Sequence, residues 1–362
     1  MQLPVRIFYT FLRFRRRVLG AALVSGVAVF IFAGLPTEGW ILIGLQVLFL
    51  LIDPITDEAR IMRAVEVPEF EGDPTKSMLD PKAPVIVLEV DEDVRAYPLT
   101  YVAHHDIIND SISGRKVIVS FCNLCNVAMS YDTTDYSRKR GFAVASQYRG
   151  NMVMKDLDTH TIWQQFTGET LAGSRHPSKL SVLFSRMLPW GEAQSLFPQI
   201  KLAKTTAKER LPFSLRFFPW NRLQRSNYIL GLRQRDRRLP ARARVLGIES
   251  IGGDLAYLKD EVTRSGWIRN DEVRLLIVMK GECATGFLTE VDGLPRELFV
   301  REGRITDKET GSVWNLRGRG LAGPLKEYDL VDWQVHNQFW YAWSDWHMLT
   351  KLMRIEVQIV PS

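Results

Sequence analysis

Cysteine is scarce. Cys122, Cys125 and Cys283 are the only thiols in 362 residues, too few for the disulfide framework that holds small secreted domains together. Several catalytic signatures are missing too. There is no Gly-rich phosphate loop, no His-Glu-x-x-His run and no nucleophile elbow, which argues against the commonest nucleotide-binding, metalloprotease and α/β-hydrolase designs. Acid is absent from residues 1–17, which carry Arg6, Arg13, Arg15, Arg16 and Arg17. It is rare in residues 201–244, where thirteen Lys or Arg stand against Glu209 and Asp236. The net charge of +6 thus comes from two segments, and the remainder of the chain is net acidic.

After the basic arm at 1–17, residues 18–35 form an 18-residue stretch free of charge, about enough to cross a hydrocarbon core of roughly 30 Å. A second apolar stretch follows Pro36-Thr37-Glu38-Gly39 and runs over 40–52, or to 55 as a marginal span. Three readings compete: a cleaved signal peptide, one span, or a hairpin that returns the body to the cytoplasm. No clear cleavage site is present, and a signal peptide leaves the second stretch unexplained. The expectation is a membrane anchor over 18–55 with the bilayer as partner and, from the arginines, a cytoplasmic N-terminus.

A connector over 56–83 leads to a body in which one order of elements occurs twice. Val85-Ile86-Val87-Leu88-Glu89 with Tyr97 is matched by Val245-Leu246-Gly247-Ile248-Glu249 with Tyr257. Asp156 to Trp163 lines up with Asp307 to Trp314, and Leu171-Ala172-Gly173 with Leu321-Ala322-Gly323. Short β-branched runs between turn residues indicate strands, and Tyr101 to Asn109 is the expected helix of the first copy. The expected fold is α+β and β-rich: two tandem related halves, 84–175 and 244–350, behind a transmembrane helical anchor. Between them lies a basic insert, 176–243, with Phe213, Phe217, Phe218, Trp220 and Tyr228. It reads as a solvated linker or as a surface for anionic lipid headgroups; a nucleic-acid grip is the weakest of the three readings.

Cys122-Asn123-Leu124-Cys125 follows a β-type run, Val117-Ile118-Val119-Ser120-Phe121. That spacing suits a metal knuckle for zinc or iron, a thiol-redox pair, or two buried structural cysteines. A thioredoxin-like pair needs the first Cys at a helix N-terminus, and here a strand follows instead. Further metal ligands would come from His104 or His105, His160 and Cys283. Cys283 falls near the second-copy place of Cys125, with Lys280 at the place of Cys122. Asp106 or Asp110 could orient His105, and Cys122, Cys125, His105 and Asp106 are the catalytic candidates. Near the C-terminus Trp333, Phe339, Trp340, Trp343 and Trp346 surround His336 and His347. They read as a core-closing segment, or as an apolar pocket wall in which Trp163, Trp340 and Trp343 take part.

Together these elements resemble the domain-of-unknown-function family 3179. The likeness is carried by Arg95-Ala96-Tyr97-Pro98-Leu99, by His105 with Ile107-Ile108-Asn109-Asp110, and by Cys122-x-x-Cys125. Trp163, Thr167-Gly168-Glu169, Leu171-Ala172-Gly173, Arg238-Leu239-Pro240, Val245-Leu246-Gly247, Thr310-Gly311-Ser312-x-Trp314 and Phe339-Trp340-Tyr341-Ala342-Trp343 continue it over roughly residues 84 to 347. The family reads Cys-Pro-Leu-Cys-Gly at the pair, so Asn123 and Asn126 are departures here. Asn tolerates positive φ better than most residues. The resemblance implies no established activity, and its frequent export signals or anchors tilt the body toward the extracytoplasmic side. The functional expectation is an anchored protein with a metal or thiol-redox site. The alternative is a non-catalytic binding or assembly module.

Overall fold

Among the described residues strand is the dominant state, 44% against 12% helix, so the body is β-rich with several sheets. The computed structural model describes residues 62–136, 140–211, 232 and 235–355, together with Val24 and Val47. Apart from those two valines, the arm and both apolar stretches lie outside the described residues, as do the five aromatic residues named in the insert. Among the described residues no helix is long and apolar enough to cross a membrane.

The first series of elements is β1 (Pro84–Val90), β2 (Asp93–Pro98), α1 (Leu99–His105), β3 (Ile107–Ile112), β4 (Arg115–Cys122) and β5 (Val127–Asp132). It continues through β6 (Phe142–Tyr148), β7 (Asn151–Asp156), β8 (Ile162–Gln164), β9 (Thr170–Ala172), β10 (Ser181–Leu183), β11 (Ser185–Pro189), α2 (Trp190–Leu196) and β12 (Lys201–Leu202). The second series begins with β13 (Arg244–Ile248), β14 (Leu255–Leu258), α3 (Lys259–Ser265), β15 (Trp267–Asn270), β16 (Leu275–Lys280) and β17 (Cys283–Leu288). A small hairpin of β18 (Glu290–Val291) and β19 (Leu294–Pro295) comes next. The series ends with β20 (Leu298–Arg301), β21 (Arg304–Asp307), β22 (Val313–Trp314), β23 (Gly320–Ala322), β24 (Asp332–Trp333), β25 (His336–Phe339), α4 (Trp340–Trp346) and β26 (Lys351–Met353).

Both series build the same three sheets. Orders β11-β1-β2-β12, β10-β5-β4-β3 and β6-β7-β8-β9 answer to β25-β13-β14-β26, β24-β17-β16-β15 and β20-β21-β22-β23. Registers agree as well: Ile86 faces Tyr97 where Leu246 faces Tyr257, and Ile107 faces Ser120 where Trp267 faces Val278. The agreement runs past residue 175. Phe197 N–H donates to Ala193 O and Ile200 N–H to Phe197 O, as His347 does to Trp343 and Thr350 to His347. Residues 181–202, expected in the insert, therefore complete the first series, and the C-terminal aromatic segment is their counterpart.

The first helix also differs from expectation. It spans Leu99–His105 and stops because Asp106 turns left-handed at φ 58°. Residues 107–109 then enter β3, where Ile107 and Ile108 are both fully buried. Tyr97 O–H donates to Asp110 across β2 and β3 at 2.5 Å, and Asn270 Nδ2 donates to Tyr257 at the equivalent place at 2.6 Å.

The largest core belongs to neither series alone. Cys122, Cys125, Met129 and Trp163 share one apolar cluster with Val245, Trp340 and Trp343. β25 packs on β5 and β11 on β17, so each series lends a strand to the other. A seam ion cluster adds to this: Arg186 meets Asp332 and Glu89, and Arg317 also meets Glu89.

Candidate functional site

β4 and β5 bring Cys122 and Val127 face to face. Four residues, 123–126, close the turn between them. Asn126 takes φ 61° and its N–H returns to Cys122 O at 2.7 Å; the Asn that departs from the family pattern thus occupies a left-handed position. The shape is fixed by sequence-local chemistry, and its placement by four other elements, α1, β7, β25 and α4.

Asn123 Nδ2 donates to Ala103 O at 2.7 Å and to Asp106 Oδ1 at 2.8 Å, tying the turn to the end of α1. From the second series, Phe339 N–H donates to Cys125 O at 3.0 Å and Tyr341 O–H to Leu124 O at 2.6 Å. Asn126 Nδ2 reaches Asn337 O and Oδ1, each at 3.3 Å. From β7, Asn151 Nδ2 donates to Cys125 Sγ at 2.9 Å.

The two sulfurs are buried, with Cys122 2% and Cys125 0% exposed, and both are free thiols. Cys125 N–H points at Cys122 Sγ at 3.5 Å. Burial works against a Cys122 thiolate. The Cys125 thiol and the N–H groups of Cys125, Met152 and Leu124 outweigh it and bring this thiol below its usual range. Cys125 goes the other way: burial, then its neighbour Cys122, push it well above the ordinary thiol. The two thiols thus shift in opposite directions.

The imidazole expected beside these thiols has other partners. His105 Nδ1 is 2.7 Å from Arg63 O and Nε2 is 2.8 Å from Glu209 Oε1. Glu209 is 104 residues away and belongs to the segment read as basic. Among the described residues no group of three or more His, Cys, Asp or Glu side chains is placed to hold a metal ion. His105, His160 and Cys283 accordingly do not join Cys122 and Cys125 in such a set. Asp106 does touch the turn, through Asn123, whereas Asp110 is engaged by Arg95 and Tyr97.

Cys283 needs a register correction. Lys280 faces Cys283 across β16 and β17, so Cys283 stands at the place of Val127, not of Cys125. Burial pushes its thiol up to about 12, and Lys259 lies near it. His160 occupies a left-handed turn position at φ 58°. Trp163, Trp340 and Trp343 are fully buried; Trp163 Nε1 donates to Asp156 at 3.2 Å and Trp343 Nε1 to Thr350 at 3.0 Å. They fill the core. A cleft of about 710 Å³ lies elsewhere, lined by Arg95, Asn109, Asp110 and Lys116 among others.

Sequence reasoning missed the residues that grip the thiol turn: Asn151, Asn337, Tyr341, and Gln165, whose amide donates to Val127 O at 3.4 Å and Ser120 Oγ at 3.1 Å. The available signal for one of them was an Asn opening an otherwise apolar run, Asn151-Met152-Val153-Met154.

Of the basic segment, three described arginines contact the body. Arg238 lies over Trp340 at 5.1 Å, Arg242 over Phe339 at 5.6 Å, and Arg244 pairs with Asp260 and Glu282.

No curated protein and no solved structure matches the chain. The family described as "Protein of unknown function (DUF3179)" matches residues 62–350. That stretch holds the double series as far as α4, with the thiol turn, and the chain belongs to this family.

Proposed function

We propose that this is a thiol-redox protein in which Cys122 is the nucleophile and Cys125 the resolving thiol, carried on a duplicated β-rich body at a membrane surface. The observation that carries the reading is a difference in turn length. At the equivalent hairpin, β16 and β17 are closed by Gly281 and Glu282 alone. The scaffold has no need of a four-residue turn there. In the first copy two more residues bring a second sulfur back to the first, so that the Cys125 N–H points at Cys122 Sγ while the Asn151 amide holds Cys125 Sγ.

The chemistry is a two-electron exchange. The Cys122 thiolate attacks the oxidant, Cys125 then attacks the Cys122 sulfur, and an S–S bond closes. Two protons and two electrons leave the pair. The residues around the thiols favour this over metal ligation, because His105 is committed to Glu209 and Arg63.

The anchor reading adds the setting: residues 18–35 as a span, 40–55 as a second apolar segment, a cytoplasmic N-terminus, an extracytoplasmic body, and anionic lipid headgroups against segment 201–244. The apolar stretch after five arginines supports it.

Counting thiols in denaturant before and after mild oxidation tests the central claim. Wild type should lose two of three, and Cys122→Ser and Cys125→Ser should lose none pairwise. A zinc or iron ion bound stoichiometrically by wild type and lost in both variants would replace redox with metal binding. An unchanged count with no bound metal would leave a non-catalytic assembly module.

A further inference from the structure

We infer that the oxidant taken by the Cys122–Cys125 pair is a small uncharged hydroperoxide, hydrogen peroxide in its simplest form, received among three buried amides, Asn151, Gln165 and Gln338. This rests on the redox reading above and names its substrate class.

Size is the first argument. With Cys122 2% and Cys125 0% exposed, a protein disulfide or a tripeptide disulfide cannot bring a sulfur in line with the Cys122 thiolate. The turn is pinned from α1, β7 and β25 at once, so it does not present the pair on a free edge.

Hydrogen-bonding capacity is the second. Asn151, Gln165 and Gln338 are each 0% exposed. Among the described residues, Asn151 Oδ1, Gln165 Oε1 and both amide atoms of Gln338 have no hydrogen-bond partner in the protein. Buried amide groups left in that condition are rare and costly. Two of the three bond the thiol hairpin directly. Asn151 donates to Cys125 Sγ and Gln165 to Val127 O, opposite Cys122. Gln338 stands between Asn337 and Phe339, both bonded to the turn.

The character of the ligand follows from its hosts. Neutral amides offer donors and acceptors without charge, which suits a molecule that both donates and accepts and brings no ion into the core. The first copy supplies an internal check. Leu188 stands at the place of Gln338, since Val85 faces Leu188 as Val245 faces Gln338. The scaffold packs an apolar side chain at that position, so the amide is not a folding requirement.

The reaction balances. The Cys122 thiolate attacks one oxygen, the O–O bond breaks, and hydroxide leaves with the Cys122 sulfur as sulfenic acid. Cys125 attacks that sulfur, the S–O bond breaks, and the second hydroxide leaves. The two thiol protons complete two waters. Net, two thiols and one peroxide give one disulfide and two waters.

The test uses the full chain, reduced and freed of reductant, and follows loss of the two thiols by acid quench and alkylation. Hydrogen peroxide should close the disulfide, while glutathione disulfide at equal concentration should leave the pair reduced. Gln338→Leu and Asn151→Ala should each slow the peroxide reaction about tenfold, the equivalent of one lost hydrogen bond. Near-ultraviolet circular dichroism and the urea midpoint of Gln338→Leu should match wild type and so report an intact turn, and diamide, a larger oxidant of thiol pairs, should act on wild type more slowly than peroxide. Equal or faster oxidation by glutathione disulfide would overturn the inference, as would amide variants that react normally with peroxide. If diamide closes the disulfide and peroxide does not, the redox reading stands and this one falls. If neither reagent removes two thiols, the redox reading itself falls.

Discussion

In the first copy Val87 and Ala193 share one apolar cluster. At the equivalent positions the second copy has Gly247 and Trp343, and a Cβ on Gly247 would come within 2.3 Å of the Trp343 ring. Volume has moved from strand to helix without a change in backbone. The consequences spread along the seam. Trp343 stacks on His347 at 3.8 Å and on His336 at 6.0 Å, with Phe166 edge-on to both imidazoles. At the matching junction the first copy offers Arg186 for His336 and Phe197 for His347, and ion pairs with Glu89 and Asp332 do the holding. One backbone thus closes the same gap by ring stacking on one side and by charge on the other. Side chains, not the β framework, set what each copy can do.

The sharpest way to break this comparison is to exchange the pair. Trp343→Ala should cost about 3–5 kcal/mol, as a buried Trp truncation does. Gly247→Val drives a side chain into the indole and should cost about as much. The double variant restores the Val–Ala pair of the first copy and should recover about 2 kcal/mol or more of the summed loss. Urea unfolding of the three variants measures it. Strict additivity would mean that the two positions do not compensate each other.

The second effect separates the aromatic junction from the ionic one by pH. Burial, then the charge of His347, hold His336 down to about 3. The unfolded imidazole titrates near 6.5, so between those values the unfolded state binds the extra proton. Stability is then full above about 6.5 and falls on acidification, by roughly 2 kcal/mol at pH 5. His336→Phe should flatten that part of the profile. A profile unchanged by the substitution would place the acid sensitivity elsewhere, and not at Asp332 of the ionic junction, since burial holds its carboxyl above the usual range and acidification there favours the folded state.

Much of the architecture was legible because it is local. Alternation in Val127-Ala128-Met129 and the paired strings around Trp163 and Trp314 depend on neighbours in the chain, and the strands and the repeat followed from them. The extent of the first copy was not legible. Leu188 against Gln338, Ala193 against Trp343 and Arg186 against His336 leave no common string, although the backbone bonds are the same. The first helix was set two residues late at its start and four at its end, the latter because Ile107-Ile108 reads as helical periodicity until Asp106 is known to turn left-handed. At the site, the thiol pair is a spacing and was visible. The partner of His105 was not, since a Glu 104 residues away is a product of the fold. For the same reason the amides of Asn151, Gln165 and Gln338 carried no pattern.

The smallest effect concerns His160, a candidate metal ligand in the sequence, which stands where the second copy has Gly311. Both are left-handed, at φ 58° and 66°, and their N–H groups return to Asp156 O and Asp307 O at 3.0 and 2.9 Å. The two residues perform one conformational task, for which Gly is the better suited. A Cβ on Gly311 meets nothing within 4 Å, so Gly311→Ala carries only the backbone cost, about 1 kcal/mol. His160→Ala should cost less on that account, because an L side chain already bears the strain there. Denaturant midpoints of the two variants decide it. A neutral Gly311→Ala would show that the turn tolerates a side chain freely, and His160 would then need a reason other than geometry.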